Sequence, residues 1–167
     1  RWKSLKLYKT PESIHNITKS FNIKIKNTNI YKVKTPKLLI AGCGTGQHAI
    51  GSASRYEKCD VLAIDLSLNS LAFAKRKTIE MNIKNIRYMQ ADILNITDLN
   101  QKFDIIESVG VLHHMEDPLA GLNELVACLN TGGIIKIGVY SELARMDIIK
   151  FKDEVQKYDI KNETDII

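Results

Sequence analysis

From residue 37 onward the chain alternates short, continuous apolar runs with stretches of helical period. The runs "KLLIA" at 37–41, "DVLAID" at 60–65, "IRYMQAD" at 86–92, "FDIIESVGV" at 103–111 and "GGIIKIGVY" at 132–140 predict five strands. Between the second and third, Leu68, Leu71, Ala74, Thr78 and Met81 recur at steps of three and four behind Ser67, a predicted N-cap. A later helix opens with Asp117 as cap and Pro118 at its first position. It is expected to bury Leu119, Leu122, Leu125, Val126 and Leu129, and to stop before Gly132 and Gly133. Strands that are apolar throughout belong in a parallel sheet covered on both faces, and each parallel crossover needs a helix to return the chain. The predicted fold class is therefore α/β, a doubly wound and mainly parallel sheet.

That core occupies residues 37–141. Residues 1–36 scatter Tyr8, Pro11, Ile14, Phe21, Ile23, Ile25 and Tyr31 among lysines and predict a basic lead-in, helical or irregular. Residues 142–167 predict a C-terminal helix and tail, with Ile148, Phe151, Val155 and Tyr158 on one face.

Composition narrows the class. With 44% hydrophobic and 26% charged residues, 167 residues suit one globular domain with a real core. No run approaches the ~18 apolar residues that a bilayer-spanning helix needs, and no signal-peptide pattern opens the chain. Cys43, Cys59 and Cys128 are odd in number and widely spaced, so neither a disulfide framework nor a metal site is expected, and a cytoplasmic location is. The start at Arg1 and the ending "KNETDII" read as a piece of something longer.

Charge is shared unevenly. Residues 1–37 hold ten Lys/Arg against Glu12 alone, a net of +9, and residues 38–167 hold fourteen against eighteen Asp/Glu, a net of −4, which sum to the overall +5. The lead-in reads as a lysine-solvated segment, since no arginine cluster or aromatic interleaving accompanies the charge; the alternative is an arm for nucleic-acid phosphates.

Candidate chemistry begins where three glycines crowd into "AGCGTGQH" after the first strand. In a doubly wound sheet, ligands bind at the carboxyl ends of strands where strand order reverses, and the first strand-to-helix turn lies there. Glycine allows positive φ and lets a ligand approach the backbone. The turn lacks the Gly-Lys-Ser/Thr ending of a phosphate-cradling loop, and Gln47 stands where the dinucleotide fingerprint needs its third glycine. Asp65 ends the second strand, where a carboxylate can accept hydrogen bonds from both hydroxyls of a ribose. Asp92 ends the third, where an acceptor can read an exocyclic amine.

In order and spacing, "LLIAGCGTGQHAI", "VLAIDLSLNSLAFAKRK", "YMQADI", "FDIIESVGVLHHMEDP" and "LNTGGIIKIGVYSE" resemble the successive motifs of class I S-adenosylmethionine-dependent methyltransferases, which have a Rossmann-like fold. The resemblance covers roughly residues 37–141. The "RW" opening and "YSELAR" also resemble the methyltransferase modules of bacterial tetratricopeptide-repeat proteins. It implies S-adenosylmethionine as cofactor. Gly42, Cys43, Gly44 and Gly46 would lie under its methionine and ribose portion, and Gln47 would belong to the same cofactor-binding set. Asp65 would hold the ribose, Leu66 would pack on adenine, Asp92 and Ile93 would flank the ring, and the backbone from Ser108 to Gly110 would line the methionine end. The family commonly has an acidic residue where this chain has Ile40, so an anchor for the methionine ammonium is sought elsewhere, with Glu107 as a candidate. The sheet is expected to lack the family's last strands, since no convincing strand follows Tyr140.

Methyl transfer from a sulfonium is an in-line displacement in which positioning supplies much of the catalysis. A base helps a hydroxyl or protonated-amine nucleophile, and His113 and His114 are the candidates. The fourth strand ends in "ESVG" and lacks the Asn/Asp-Pro-Pro-Tyr type of segment of base-amine methyltransferases. The expected acceptor is a small molecule or a protein. The alternatives are an RNA methyltransferase using the basic lead-in and a catalytically silent binding module.

Overall fold

In the computed structural model of the chain, residues 7–20 and 30–141 are described. Five strands, β1 (Lys37–Ala41), β2 (Asp60–Asp65), β3 (Ile86–Gln90), β4 (Phe103–Val109) and β5 (Leu129–Gly138), pair in parallel in the order β3-β2-β1-β4-β5. The chain builds outward from β1 to β3 and then crosses back to place β4 on the other side of β1. Strand order therefore reverses between β1 and β4, and a crevice opens there at their carboxyl ends. This is the doubly wound, parallel α/β arrangement that the sequence predicts.

Alternation along each strand sorts the core into two layers. Leu38 and Ile40 of β1, Val61 and Ala63 of β2 and Ile105 of β4 pack with Ile14 and Ile17 of α1 (Ile14–Ser20), Ala49 and Ala53 of α2 (Gln47–Arg55), and Leu71 of α3 (Leu68–Glu80). Leu39, Ala41, Leu62, Ile64 and Ile106 point the other way. They meet Leu125 of α4 (Pro118–Ala127) together with Ile93 and Ile96 of a 3-10 segment, Ile93–Leu99. The inner strands β1, β2 and β4 are thus buried on both faces and read as continuous apolar runs, whereas β3 and β5, at the two edges of the sheet, are only partly buried.

Helix ends follow local chemistry. Ser67 accepts the Ser70 amide at 3.2 Å and starts α3. Asp117 accepts the Leu119 and Ala120 amides at 2.9 and 3.0 Å, with Pro118 at the first helical position of α4.

Several boundaries differ from expectation. β3 stops at Gln90 because Asp92 turns the chain, accepting the Leu94 amide at 3.0 Å. β4 ends at Val109, before Gly110 takes a φ of 77°. α4 ends at Ala127 and β5 begins at Leu129, three residues earlier than the glycine pair suggested. "NTGG" is a bulge inside the strand: Phe103 pairs with Leu129, then Ile105 pairs with Ile134. Asn130 donates to Asp104 at 2.8 Å across it, and a Cβ on Gly133 would stand 2.8 Å from the Asp104 carbonyl oxygen. Leu68, Leu119 and Val126 fit the helical period yet are 64%, 69% and 50% exposed; the buried face of α4 runs through Gly121 and Leu125 instead. Of the lead-in, α1 and a 3-10 turn at Ile30–Lys32 are the described helical parts. The amphipathic segment expected at 143–160 lies outside the described residues. Among the described residues no helix is long and apolar enough to cross a membrane.

Candidate functional site

The glycine turn lies across the crevice and is tied to β2. The amides of Gly42 and Cys43 both donate to the Ile64 carbonyl, at 2.9 and 2.8 Å, and the Gly44 amide donates to Asp65 Oδ2 at 2.7 Å. The other Asp65 oxygen accepts the Ser67 amide at 2.9 Å. Asp65 is thereby fixed at the end of β2 between the turn and the start of α3.

The three glycines are required for different reasons. All have positive φ, 77°, 51° and 89° at Gly42, Gly44 and Gly46. A Cβ on Gly42 would stand 2.4 Å from a Val111 methyl, and one on Gly46 would stand 2.5 Å from the Ala74 Cβ. Those two admit protein neighbours. A Cβ on Gly44 would meet nothing within 4 Å, and Gly44 faces an open cleft. Of the three it is the one whose missing side chain leaves backbone open to the cleft.

Two clefts meet at Gly42. The smaller, ≈ 320 Å³, is lined by Asp65, Leu66, Asp92 and Ile93, with Val111 and His114 on its other side. Leu66 is 66% exposed, an apolar surface at the cleft wall. The larger, ≈ 620 Å³, is lined by Cys43, Gly44, Gln47, His48, Arg55 and Lys136, with Tyr8 and Val109 among its other walls. Arg55 lies over the Tyr8 ring, 5.5 Å from its centroid. Burial, followed by the nearby Asp65 charge, pushes the Cys43 thiol up to about 12. It is therefore a neutral part of the turn at ordinary pH.

Beneath the larger cleft lies Glu107, 2% exposed. Its Oε2 accepts the Ser52 hydroxyl at 2.5 Å and faces His48 Nε2 at 2.8 Å; its Oε1 accepts the Tyr56 hydroxyl at 3.0 Å and lies 3.7 Å from Lys136 Nζ. Burial alone would raise its pKa. The hydrogen bonds from His48 and Ser52, with the charges of Lys136 and His48, outweigh burial and bring it to about 2. Tyr56 is held protonated by burial and by the same carboxylate, with its pKa far above the ordinary phenol value.

The structure brings Gly42, Cys43, Gly44, Gln47, Asp65, Leu66, Asp92 and Ile93 onto the walls of these two adjoining clefts. Gly46 lies behind the turn as the N-cap position of α2. Ser108 is fully buried and lines neither cleft; its neighbour Val109 reaches the larger one. His114 stands on the smaller cleft, whereas His113 stacks between His114 and Tyr140 at centroid distances of 4.0 and 4.1 Å. The imidazole on the larger cleft is His48. Sequence reasoning missed His48, Arg55 and Lys136. Their one visible signal is position, since His48 is the second residue of the helix after the glycine turn and Lys136 stands on a strand neighbouring the crevice. Among the described residues no group of three or more His, Cys, Asp or Glu comes together as a metal site.

Residues 38–133 match the family described as methyltransferase domain. The chain belongs to that family. It is 36% identical over 72% of its length to an uncharacterized protein of Synechococcus sp., covering 29% of that protein. It is 39% identical over 50% of its length to the release factor glutamine methyltransferase of Flavobacterium psychrophilum, again covering 29%. Among solved structures, PKMT2 from Rickettsia typhi in complex with AdoHcy superposes with a TM-score of 0.56 at 31% identity, over 61% of this chain and 20% of that one. The chain therefore spans less than a third of each of these three relatives. The cofactor this family implies is S-adenosylmethionine. Two clefts joined at Gly42, an apolar wall at Leu66 and the Asp65 carboxylate in the smaller one, and the open backbone of Gly44 in the larger, fit a ligand with a nucleoside at one end and an amino acid at the other.

Proposed function

We propose that this chain binds S-adenosylmethionine across both clefts and transfers its methyl group to a small-molecule or protein acceptor. The adenosine part lies in the smaller cleft, with Asp65 toward the ribose hydroxyls, Leu66 against the adenine, and Asp92 and Ile93 along its edge. The amino-acid end passes over Gly42 and Gly44 into the larger cleft. The observation that carries this reading is the meeting of the two clefts at Gly42, with Asp65 fixed beside the junction by the Gly44 amide.

The bound cofactor supplies an electrophilic methyl group and a neutral thioether leaving group. The chain's part is to hold the sulfonium and the acceptor in line, so no obligatory catalytic side chain is required. The larger cleft has room beyond an amino-acid end, and the acceptor enters there, past Tyr8 and Val109.

A calorimetric titration of the chain with S-adenosylmethionine, S-adenosylhomocysteine and NAD tests this. Saturable micromolar binding of the first two, and none of NAD, is expected. A cooperatively folded chain that binds neither would overturn the reading. Formation of S-adenosylhomocysteine in an acceptor screen would separate an enzyme from a binding module that keeps the fold.

A further inference from the structure

His48 and Glu107 stand together under the larger cleft. His48 Nε2 lies 2.8 Å from Glu107 Oε2, and that nitrogen is buried. The open 35% of the His48 side chain is therefore the rest of the ring, which lines the cleft. Glu107 is 2% exposed and is held from three more sides, by the Ser52 hydroxyl at 2.5 Å, the Tyr56 hydroxyl at 3.0 Å and the Lys136 ammonium at 3.7 Å. Its partners keep it ionised down to a pH of about 2. An ionised carboxylate only accepts hydrogen bonds, so it draws the proton of the neutral imidazole onto Nε2 and leaves the lone pair on Nδ1. Among the described residues no hydrogen bond takes Nδ1. A buried carboxylate behind one ring nitrogen, with the lone pair of the other left open, makes a histidine a good proton acceptor, because the imidazolium that forms is already paired.

The other charges on the cleft discriminate among acceptors. Lys136 of β5 and Arg55 of α2 stand on its walls with Tyr8 and Cys43, and no Asp or Glu is among its lining residues. Two cations disfavour a protonated amine and favour an oxygen that turns negative as it loses its proton. A carboxylate acceptor needs no base, whereas a hydroxyl does. His113 and His114 are poorly placed to supply it. His114 stands on the smaller cleft, where the reading above puts the nucleoside, and His113 is stacked between His114 and Tyr140.

We propose that His48 is the general base for a hydroxyl acceptor in the larger cleft, with Glu107 as the positioning residue behind it. The proposal rests on the cofactor reading above. As the acceptor oxygen bonds to the methyl carbon, the carbon–sulfur bond breaks and its electron pair leaves on the neutral thioether. The hydroxyl proton passes to His48 Nδ1, and the resulting imidazolium is paired to Glu107 through Nε2.

The probe for this is 4-nitrophenol, whose absorbance reports its own ionisation, added to the chain saturated with S-adenosylhomocysteine so that no methyl transfer follows. The bound phenol is expected to ionise about one pH unit below the free phenol, a tenfold rise in its acid constant. His48→Gln keeps a donor for Glu107 but accepts no proton, and it should remove most of that shift. Glu107→Gln should reduce the shift, and nitrogen NMR should then show the His48 proton shared between both ring nitrogens, where the unaltered chain carries it on Nε2. A merely structural role for Glu107 would move neither readout. Melting curves and S-adenosylhomocysteine titrations check that each variant is folded and saturated; if Glu107→Gln is not, His48→Gln decides alone. A shift that survives His48→Gln and disappears in Lys136→Met would belong to the ammonium's charge and overturn the proposal. An unshifted bound phenol, or a saturated chain that leaves the spectrum of millimolar 4-nitrophenol unchanged, would overturn it too, with the cofactor reading intact. Failure of the unaltered, folded chain to bind S-adenosylhomocysteine would instead remove the cofactor reading and this proposal with it.

Discussion

The Ser52 hydroxyl of α2 donates to the buried Glu107 carboxylate of β4 at 2.5 Å, across 55 residues of sequence. This contact ties the helix that follows the glycine turn to the strand on the far side of the crevice. A buried charge survives only with such partners, and removing one leaves the desolvation cost uncompensated. Ser52→Ala should therefore destabilise the fold by about 1–3 kcal/mol. Chemical denaturation measures this, and a change below about 0.5 kcal/mol would mean that water replaces the hydroxyl.

The same carboxylate makes stability acid-sensitive. Its folded-state pKa, about 2, lies below the ordinary 4.5, so folding favours the ionised form. The contribution is complete above pH 4.5 and is lost as pH falls toward 2, with a full size of ~3 kcal/mol for a gap of this width. Unfolding free energies at pH 7 and pH 3 should converge for the unaltered chain and Glu107→Gln, the variant being the less stable at pH 7 and the flatter between the two. A variant profile as steep as the original would place the acid sensitivity on other carboxylates.

Asp65 divides its two oxygens between the Gly44 and Ser67 amides. Asp65→Asn keeps one acceptor, turns the other toward an N–H as a donor, and removes the charge that hydroxyls on a ribose would meet. Affinity for S-adenosylhomocysteine should fall at least tenfold, about 1.4 kcal/mol. Calorimetry alongside a melting curve separates this from unfolding; unchanged affinity would remove Asp65 from the site.

Much of this was legible in the chain because the relevant signals are local. β1 and β2 run at the expected residues, since each is a short apolar run flanked by polar residues, and Ser67 and Asp117 cap the helices they were expected to cap. β5 begins three residues before its expected start because a bulge has the composition of a turn: Asn130, Gly132 and Gly133 stop a helix equally well, and the Asp104 contacts on β4 draw them into the strand. The residues that line the smaller cleft follow from strand ends, which sequence order predicts. The larger cleft does not. His48, Arg55 and Lys136 come from a helix and a strand more than 80 residues apart, and what joins two of them is a carboxylate whose burial no local pattern announces.

Asp117 accepts two amides of the first turn of α4, Leu119 and Ala120, through one oxygen. Ser67 accepts one amide of α3. Asp117→Ala should cost ~1 kcal/mol or somewhat more, within the usual 0.5–2 kcal/mol for a lost N-cap, and Ser67→Ala should lie toward the lower end. Denaturant midpoints rank the two, and the reverse order would show that the second bond to Asp117 contributes nothing.

Gly44 and Gly46 separate backbone strain from ligand approach. Both take positive φ, so alanine at either should cost about 1–2 kcal/mol for the left-handed conformation. At Gly46 the new methyl would also stand 2.5 Å from the Ala74 Cβ, where α3 packs against the turn, and overpacking adds ~1–3 kcal/mol. At Gly44 it would project into open cleft with nothing within 4 Å. Gly46→Ala should therefore be the less stable protein, whereas Gly44→Ala should fold with a modestly lowered melting temperature and lose most of its affinity for S-adenosylhomocysteine. Retained binding in a folded Gly44→Ala would show that no ligand lies against that backbone, and the path of the amino-acid end over the turn would then be wrong.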